Sequence, residues 1–134
     1  MSYIEAIQHQ IRRCILESEL KNIANHCHGV ARECGWWNDP ATGEPLQKNV
    51  GELLCLVHSE ISEAMEGHRK GLMDDHLTHR PMIEVELADA LIRILDMSGG
   101  LGLDVPGAVV EKLRYNTTRN DHKPEVRANG GKAY

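Results

Sequence analysis

Two pairs of acids carry the chemistry this sequence offers: Glu60 and Glu63 in "HSEISEAMEG", and Glu86 and Asp89 in "EVELADALIRILD". Both pairs are spaced i and i+3, which sets their members on neighbouring turns of one helical face. On a helix advancing about 100° per residue, Glu60 falls in the middle of an apolar arc formed by Val50, Leu53, Val57, Ile61 and Ala64, flanked by Leu54 and Leu56. Glu63 lies at the edge of that arc, and Glu66 points away from it toward solvent. Burying an ionised carboxylate without a partner is costly enough that the group protonates or finds a cation. Glu60 therefore needs a cation.

The second pair sits in "PMIEVELADALIRILDMS", apolar almost all round, where Glu86, Asp89, Arg93 and Asp96 gather into one narrow stripe. Considered alone, that stripe reads as the solvent-facing edge of a buried helix. Glu84 lies on another side, among the leucines, and receives no role. The two helices together read differently. A short connection makes them antiparallel neighbours, so the pairs Glu60/Glu63 and Glu86/Asp89 can converge. Four oxygen ligands at a helix–helix interface suit Mg²⁺ or Mn²⁺, hard ions that retain waters and accept phosphate oxygens. A di-iron site, the usual alternative in helix bundles, wants Glu-x-x-His on two helices; none of the eight histidines has Glu three residues before it. Arg93, one turn beyond Asp89, puts a cation beside the acids, either as a phosphate contact or as an ion-pair partner of Asp89.

The elements that must position these residues can be read from breakers and periodicity. Ile4, Ile7, Ile11 and Ile15 step at helical intervals and predict a first helix over 3–18; a second runs from Leu20 to Glu33 and stops before Gly35. "GWWNDPATGEPLQKN" is a long loop of the kind that covers a site. Asn49, with Glu52 three residues later, caps the helix of the first acid pair, which runs to Arg69 and ends at Gly71. "MDDHLTHRP" is a polar connection, and Pro81 opens the helix of the second pair, expected to reach Ser98 and stop at Gly99-Gly100. Asp104 with Pro106 opens a fifth helix ending near Arg119. The remainder, 120–134, reads as an irregular tail. Strand-like alternation is missing, so the expected fold is all-α, a bundle of four or five helices.

At 134 residues the chain is most simply one domain. Phe is absent and aromatics are scarce, which favours helices over a sandwich or barrel. A net charge of −5 argues against a nucleic-acid polymer as partner. Of the four cysteines, Cys27 and Cys34 lie near His26 and His28 and invite a zinc reading. No compact ligand pair at zinc-finger spacing accompanies them, and buried or half-buried thiols in a reducing compartment are the plainer account. The start, "MSYIEAIQHQ", lacks a basic segment followed by an apolar run, and no stretch approaches ~18 apolar residues. A cytoplasmic protein, neither secreted nor membrane-spanning, is expected.

With these residues in place, "EISE" at 60–63 followed by "ELAD" at 86–89 resembles the ExxE…ExxD signature of the MazG-like, all-α nucleoside triphosphate pyrophosphohydrolases. "EKLRYNTTR" is similar to that family's KxxxNxxR element. The likeness spans residues 20–119, leaving 1–19 as an added N-terminal helix. It implies that Glu60, Glu63, Glu86 and Asp89 hold Mg²⁺, with Mn²⁺ as a substitute. It further implies that water attacks the α-phosphorus of a (deoxy)nucleoside triphosphate, releasing the monophosphate and pyrophosphate; which carboxylate orients the water is left open.

Lys112, Asn116 and Arg119 share a face of the fifth helix. The resemblance makes them a grip on the triphosphate, where chemistry alone would allow a solvated helix end favoured by the dipole. His28 and Trp37 are spaced similarly to the His and Trp that contact the base in relatives with a deoxycytidine preference. Trp36 leaves open which indole stacks, and a loop Trp by itself reads as a hydrophobic plug. Tyr115 would extend that pocket, whereas His58 reads as a packed or solvent-edge histidine. A homodimer or homotetramer is implied, with the N-terminal helix available to pack against another subunit. The alternatives are a related hydrolase of dUTP or phosphoribosyl-ATP, and a non-enzymatic helical module that uses its acids for ion pairing.

Overall fold

The computed structural model describes residues 2–119 and 123–128. Five helices follow in order: α1 (Tyr3–Glu33), α2 (Val50–Lys70), α3 (Met82–Gly100), α4 (Val105–Thr118) and α5 (Pro124–Ala128). The all-helical expectation holds. Among the described residues there is no strand, only isolated bridges joining Asn38 to Pro45 and Met73 to Pro81. The two helices predicted over 3–18 and 20–33 are one continuous helix, α1. No Gly or Pro interrupts it before Gly29, and Glu19 and Leu20 at the expected join are both good helix formers. α3 runs through the Gly99-Gly100 pair rather than stopping before it. α5 forms inside the stretch read as an irregular tail; residues 120–122 and 129–134 of that tail lie outside the described residues.

Residues Asn22–Leu103 form one compact unit, and the chain on either side of it forms another. In the latter, α4 is opened by Asp104, whose side chain accepts from the Gly107 N–H at 3.1 Å, and Pro106 occupies the first turn. Lys21 pairs with Glu17 at 2.6 Å and reaches Asp104 at 3.9 Å. Pro106 and Val110 are buried, while the periodic isoleucines Ile4, Ile7, Ile11 and Ile15 are all exposed.

The unit Asn22–Leu103 is organised by α2 and α3. Asn49 caps α2 as expected, accepting from Gly51 N–H at 2.9 Å and Glu52 N–H at 3.4 Å, while its amide meets the Glu52 carboxylate. Gly71 closes the helix in the left-handed region (φ 64°), which L side chains rarely adopt, and Leu72 N–H returns to Gly67. Contacts between Gly67 and Met82 near one end and between Glu60 and Arg93 further along establish that α2 and α3 are antiparallel. Gly67 is a point of close approach: a Cβ there would come within 2.8 Å of the Met82 Cβ.

The inward face of α2 is Leu53, Val57, Glu60, Ala64 and Gly67, stepping by three and four. Val50 and Ile61, expected on the same arc, are exposed, together with the flanking Leu54 and Leu56. On α3 the outcome divides the polar stripe: Asp89 and Arg93 are exposed, as the isolated reading expects, and the other two members are not. Glu86 is buried and Asp96 is half-buried, while Leu87 and Leu91 on the apolar side stand in solvent. Packing on α2 decides this. Met82, Glu86 and Arg93 of α3 meet α2, and of the stripe Glu86 is the member that this packing buries. Among the cysteines only Cys27 is half-buried; Cys14, Cys34 and Cys55 are exposed free thiols, against expectation.

Candidate metal centre

α2 contributes Glu60 and Glu63 and α3 contributes Glu86; one carboxylate oxygen from each lies within 4.8 Å of the others. Glu60 and Glu86 are 7% and 8% exposed, and Glu63 opens to solvent. Arg93 donates from Nε to Glu60 Oε1 at 2.5 Å. Burial, above all, pushes the Glu86 carboxyl up to about 7, helped by a hydrogen bond with Glu60 and by the negative charges of Glu63, Glu60 and Asp89. Two sources of positive charge thus answer the acids here: the Arg93 guanidinium, and the proton that Glu86 keeps up to about pH 7.

Asp89 does not belong to the three-way cluster but is coupled to it. Burial and the Glu60 charge raise its carboxyl above the ordinary range, Arg93 opposes them, and Asp74 adds a further push. Asp74 was not singled out by the sequence, where it reads as part of a polar connection. It is buried, at 8% exposure, because its side chain organises a turn: it accepts the backbone N–H groups of Leu77 and His76, and those bonds hold its carboxyl below the usual range despite burial. The legible signal was an Asp preceding a short polar turn; its proximity to Asp89 was not legible. Glu66 pairs with Arg69 and Lys70 on its own helix, and Glu84 with Arg80 at 3.2 Å.

Beside the acids opens a cavity of ≈ 330 Å³ whose wall includes Trp37, Lys48, Ile92, Asp89, Arg93 and Asp96. The loop after α1 folds back on itself to present Trp37: Asp39 accepts from Ala41 and Thr42, and Leu46 N–H returns to the Trp37 carbonyl. The Trp37 indole donates from Nε1 to Asp96 Oδ1 at 2.7 Å, and His28 Nδ1 meets the same oxygen at 2.9 Å. The two rings stand edge to face with centroids 5.3 Å apart. Trp36 also borders the cavity but is 65% exposed, so Trp37 is the anchored indole.

Gly99 and Gly100 prove to be seats rather than a stop signal. A Cβ on Gly99 would fall 2.6 Å from the His28 ring, and one on Gly100 2.2 Å from the Trp37 indole. Sequence reasoning missed this role, and Asp96 with it, because both depend on which part of α1 and of the loop reaches the end of α3.

The remaining candidates are carried by α4 in the other unit. Lys112 Nζ sits 4.7 Å from the centre of the Tyr115 ring. Asn116 has a buried amide oxygen without a hydrogen-bond partner among the described residues, and Arg119 lies just past the last turn. His58 is exposed.

The donor set fits a hard divalent cation: three carboxylates within a few ångströms, oxygen only, two of them buried and one open to solvent. Comparison with known proteins adds no relative, since no family model, characterised protein or solved structure matches the chain.

The sign of the pH dependence follows from Glu86. Its value in the folded chain lies above the usual 4.5, so its contribution to stability is present below pH 4.5 and is lost as the pH rises to about 7. A cation that displaces the proton reverses that loss. Thermal melts with saturating Mn²⁺ are therefore expected to show a larger stabilising shift at pH 8 than at pH 5.5. In Glu86→Gln the metal-free chain should melt higher than the native one at pH 8, with the Mn²⁺ shift largely gone. Equal shifts at both pH values would contradict the assignment.

Proposed function

We propose that this chain is a MazG-like, divalent-ion-dependent pyrophosphohydrolase that converts a (deoxy)nucleoside triphosphate to its monophosphate and pyrophosphate. The observation that carries the reading is the convergence of Glu60, Glu63 and Glu86 next to a cavity edged by Asp89 and Arg93. Phosphoryl transfer is mostly positioning and charge neutralisation. Acids alone repel a triphosphate, so burying them serves such a substrate only through cations.

Bound Mg²⁺, or Mn²⁺ in its place, supplies charge neutralisation at phosphate oxygens and a lowered pKa for a water. The chain's own residues do the rest. Glu60, Glu63 and Glu86 would hold the ion through their carboxylate oxygens. Glu63, open to solvent, and Asp89, on the cavity wall, are the carboxylates an entering water meets, and one of them orients it. Arg93 engages Glu60 through Nε, while its two terminal nitrogens make no hydrogen bond among the described residues and suit a phosphate oxygen. The resemblance alone assigns Lys112, Asn116 and Arg119, on the other unit, to the triphosphate.

In this reading a second copy of the chain covers the apolar stripes left in solvent. Leu54, Ile61 and Met65 recur along one face of α2, Leu87 and Leu91 along α3, and the isoleucines along α1. Such stripes at helical spacing mark contact surfaces. The competing reading, a non-enzymatic interaction module, draws on these same stripes and on the Arg93–Glu60 ion pair.

Incubation with each dNTP and Mg²⁺ should release pyrophosphate, and a chelator should abolish it. Glu63→Ala and Asp89→Ala should each lower the rate about 100-fold or more, the scale on which losing one preorganised charge-stabilising group costs an active site. Absence of pyrophosphate from every nucleotide, or undiminished release by both variants, would contradict the proposal. Sedimentation should give a mass at least twice 15.0 kDa, falling to the single-chain mass in the double variant Ile61→Glu/Leu91→Glu. A native chain that sediments as a monomer would remove the second copy from the account.

A further inference from the structure

Asp96 is the group around which the cavity wall is built, and the metal chemistry makes no use of it. Two N–H donors converge on one of its oxygens: Trp37 Nε1 at 2.7 Å and His28 Nδ1 at 2.9 Å, both to Oδ1. A carboxylate only accepts, so His28 must carry its proton on Nδ1 in this arrangement. The other oxygen, Oδ2, accepts no hydrogen bond among the described residues, although the side chain is only 19% exposed and borders the cavity. The two bonded donors, their rings seated on Gly99 and Gly100, hold Oδ1 in place. A part-buried acceptor is thereby left with one lone-pair edge unused, in a wall that also carries the Trp37 indole.

A cavity of ≈ 330 Å³ is at the small end of ligand sites and suits one planar ring system. Lys48, the ammonium on its wall, lies 5.9 Å from the Trp37 ring centre, where the π face attracts it. A fixed carboxylate oxygen rewards a ligand edge that donates and repels one that presents a carbonyl lone pair. Among nucleobases, cytosine and adenine offer an exocyclic amino group on the hydrogen-bonding edge, and uracil and thymine offer a carbonyl oxygen at the corresponding place.

We infer that Asp96 is a specificity-determining residue. Through Oδ1 it positions Trp37 and His28, and through Oδ2 it selects nucleotides whose base bears an exocyclic amino group over those with a carbonyl there. This rests on the cavity of the proposed hydrolase being its base site, and it assigns that site's substrate class and the group that reads it.

The test measures binding directly, so it does not depend on hydrolysis. The native chain is titrated calorimetrically with dCMP, dAMP, dUMP and dTMP, then with the same four after Asp96→Asn and after Asp96→Ala. The native chain should bind dCMP or dAMP at least 10-fold more tightly than dUMP and dTMP, the range expected of a hydrogen bond to a charged group. In Asp96→Asn the amide oxygen can still receive Trp37 and His28, while its NH₂ replaces the free acceptor, so the ratio should fall to one or invert toward dUMP. Asp96→Ala should weaken all four and lose the discrimination.

A native chain that binds the four equally, prefers the carbonyl bases or binds none of them overturns the inference. So does an Asp96→Asn variant that weakens all four by one common factor, the mark of a purely structural role. The reading of the site as a hydrolase fails separately, if base-selective binding is found but no nucleoside triphosphate yields pyrophosphate.

Discussion

Buried negative charge governs this molecule. α2 and α3 pack antiparallel through a seam that would be apolar in an ordinary helix pair, yet Glu60 and Glu86 sit inside it with Glu63 at its mouth. Like charges at such separations in a poorly solvated seam repel strongly. Positive charge answers that repulsion through the Arg93 guanidinium and through a proton on Glu86 below about pH 7, and the proposed function adds a divalent ion. Small residues make the arrangement possible. Ala64, Gly67 and Ala90 let the helices approach closely enough for their carboxylates to meet. Turning Glu86 inward leaves Leu87 and Leu91 in solvent while Leu95 stays buried, so part of the exposed apolar surface follows from the same constraint that builds the centre.

What could be read in the sequence was local. The caps at Asn49, Gly71 and Asp104 acted where their side chains and φ preferences required, because capping depends only on neighbours within a few residues. The convergence of Glu60, Glu63 and Glu86 was legible because i, i+3 spacing and a short connection leave an antiparallel pair few ways to arrange its acids. The direction in which α3 faces was not legible from α3 alone: a helix apolar on most of its circumference has no unique inside, and α2 decides the matter. The continuity of α1 was missed for a related reason, since periodicity fades near residue 19 without any residue that would break a helix.

The second group of residues was hidden more deeply. Gly99-Gly100 has the composition of a helix stop, and Asp96 that of a solvated edge. Only the arrival of His28 and Trp37 from elsewhere in the chain turns the glycines into seats and the acid into an anchor. Asp74 is similar, an ordinary turn acid until the turn carries it close enough to Asp89 to be felt electrostatically. These long-range meetings join the acids and the cavity into a continuous site: Asp89 and Arg93 stand on the cavity wall, and Arg93 also holds Glu60. In the proposed reaction, a phosphate chain at the acids would lie next to a ring in the cavity.

The central claim is that the three glutamates form a cation site and not merely a strained cluster of acids. Anomalous diffraction from crystals of the native chain soaked in Mn²⁺ at pH 8 tests it most directly. The account predicts a single strong peak or a close pair among the carboxylates of Glu60, Glu63 and Glu86, with Arg93 released from Glu60. Diffraction that shows no peak there, with the Arg93–Glu60 pair intact and the glutamates unmoved, would contradict it.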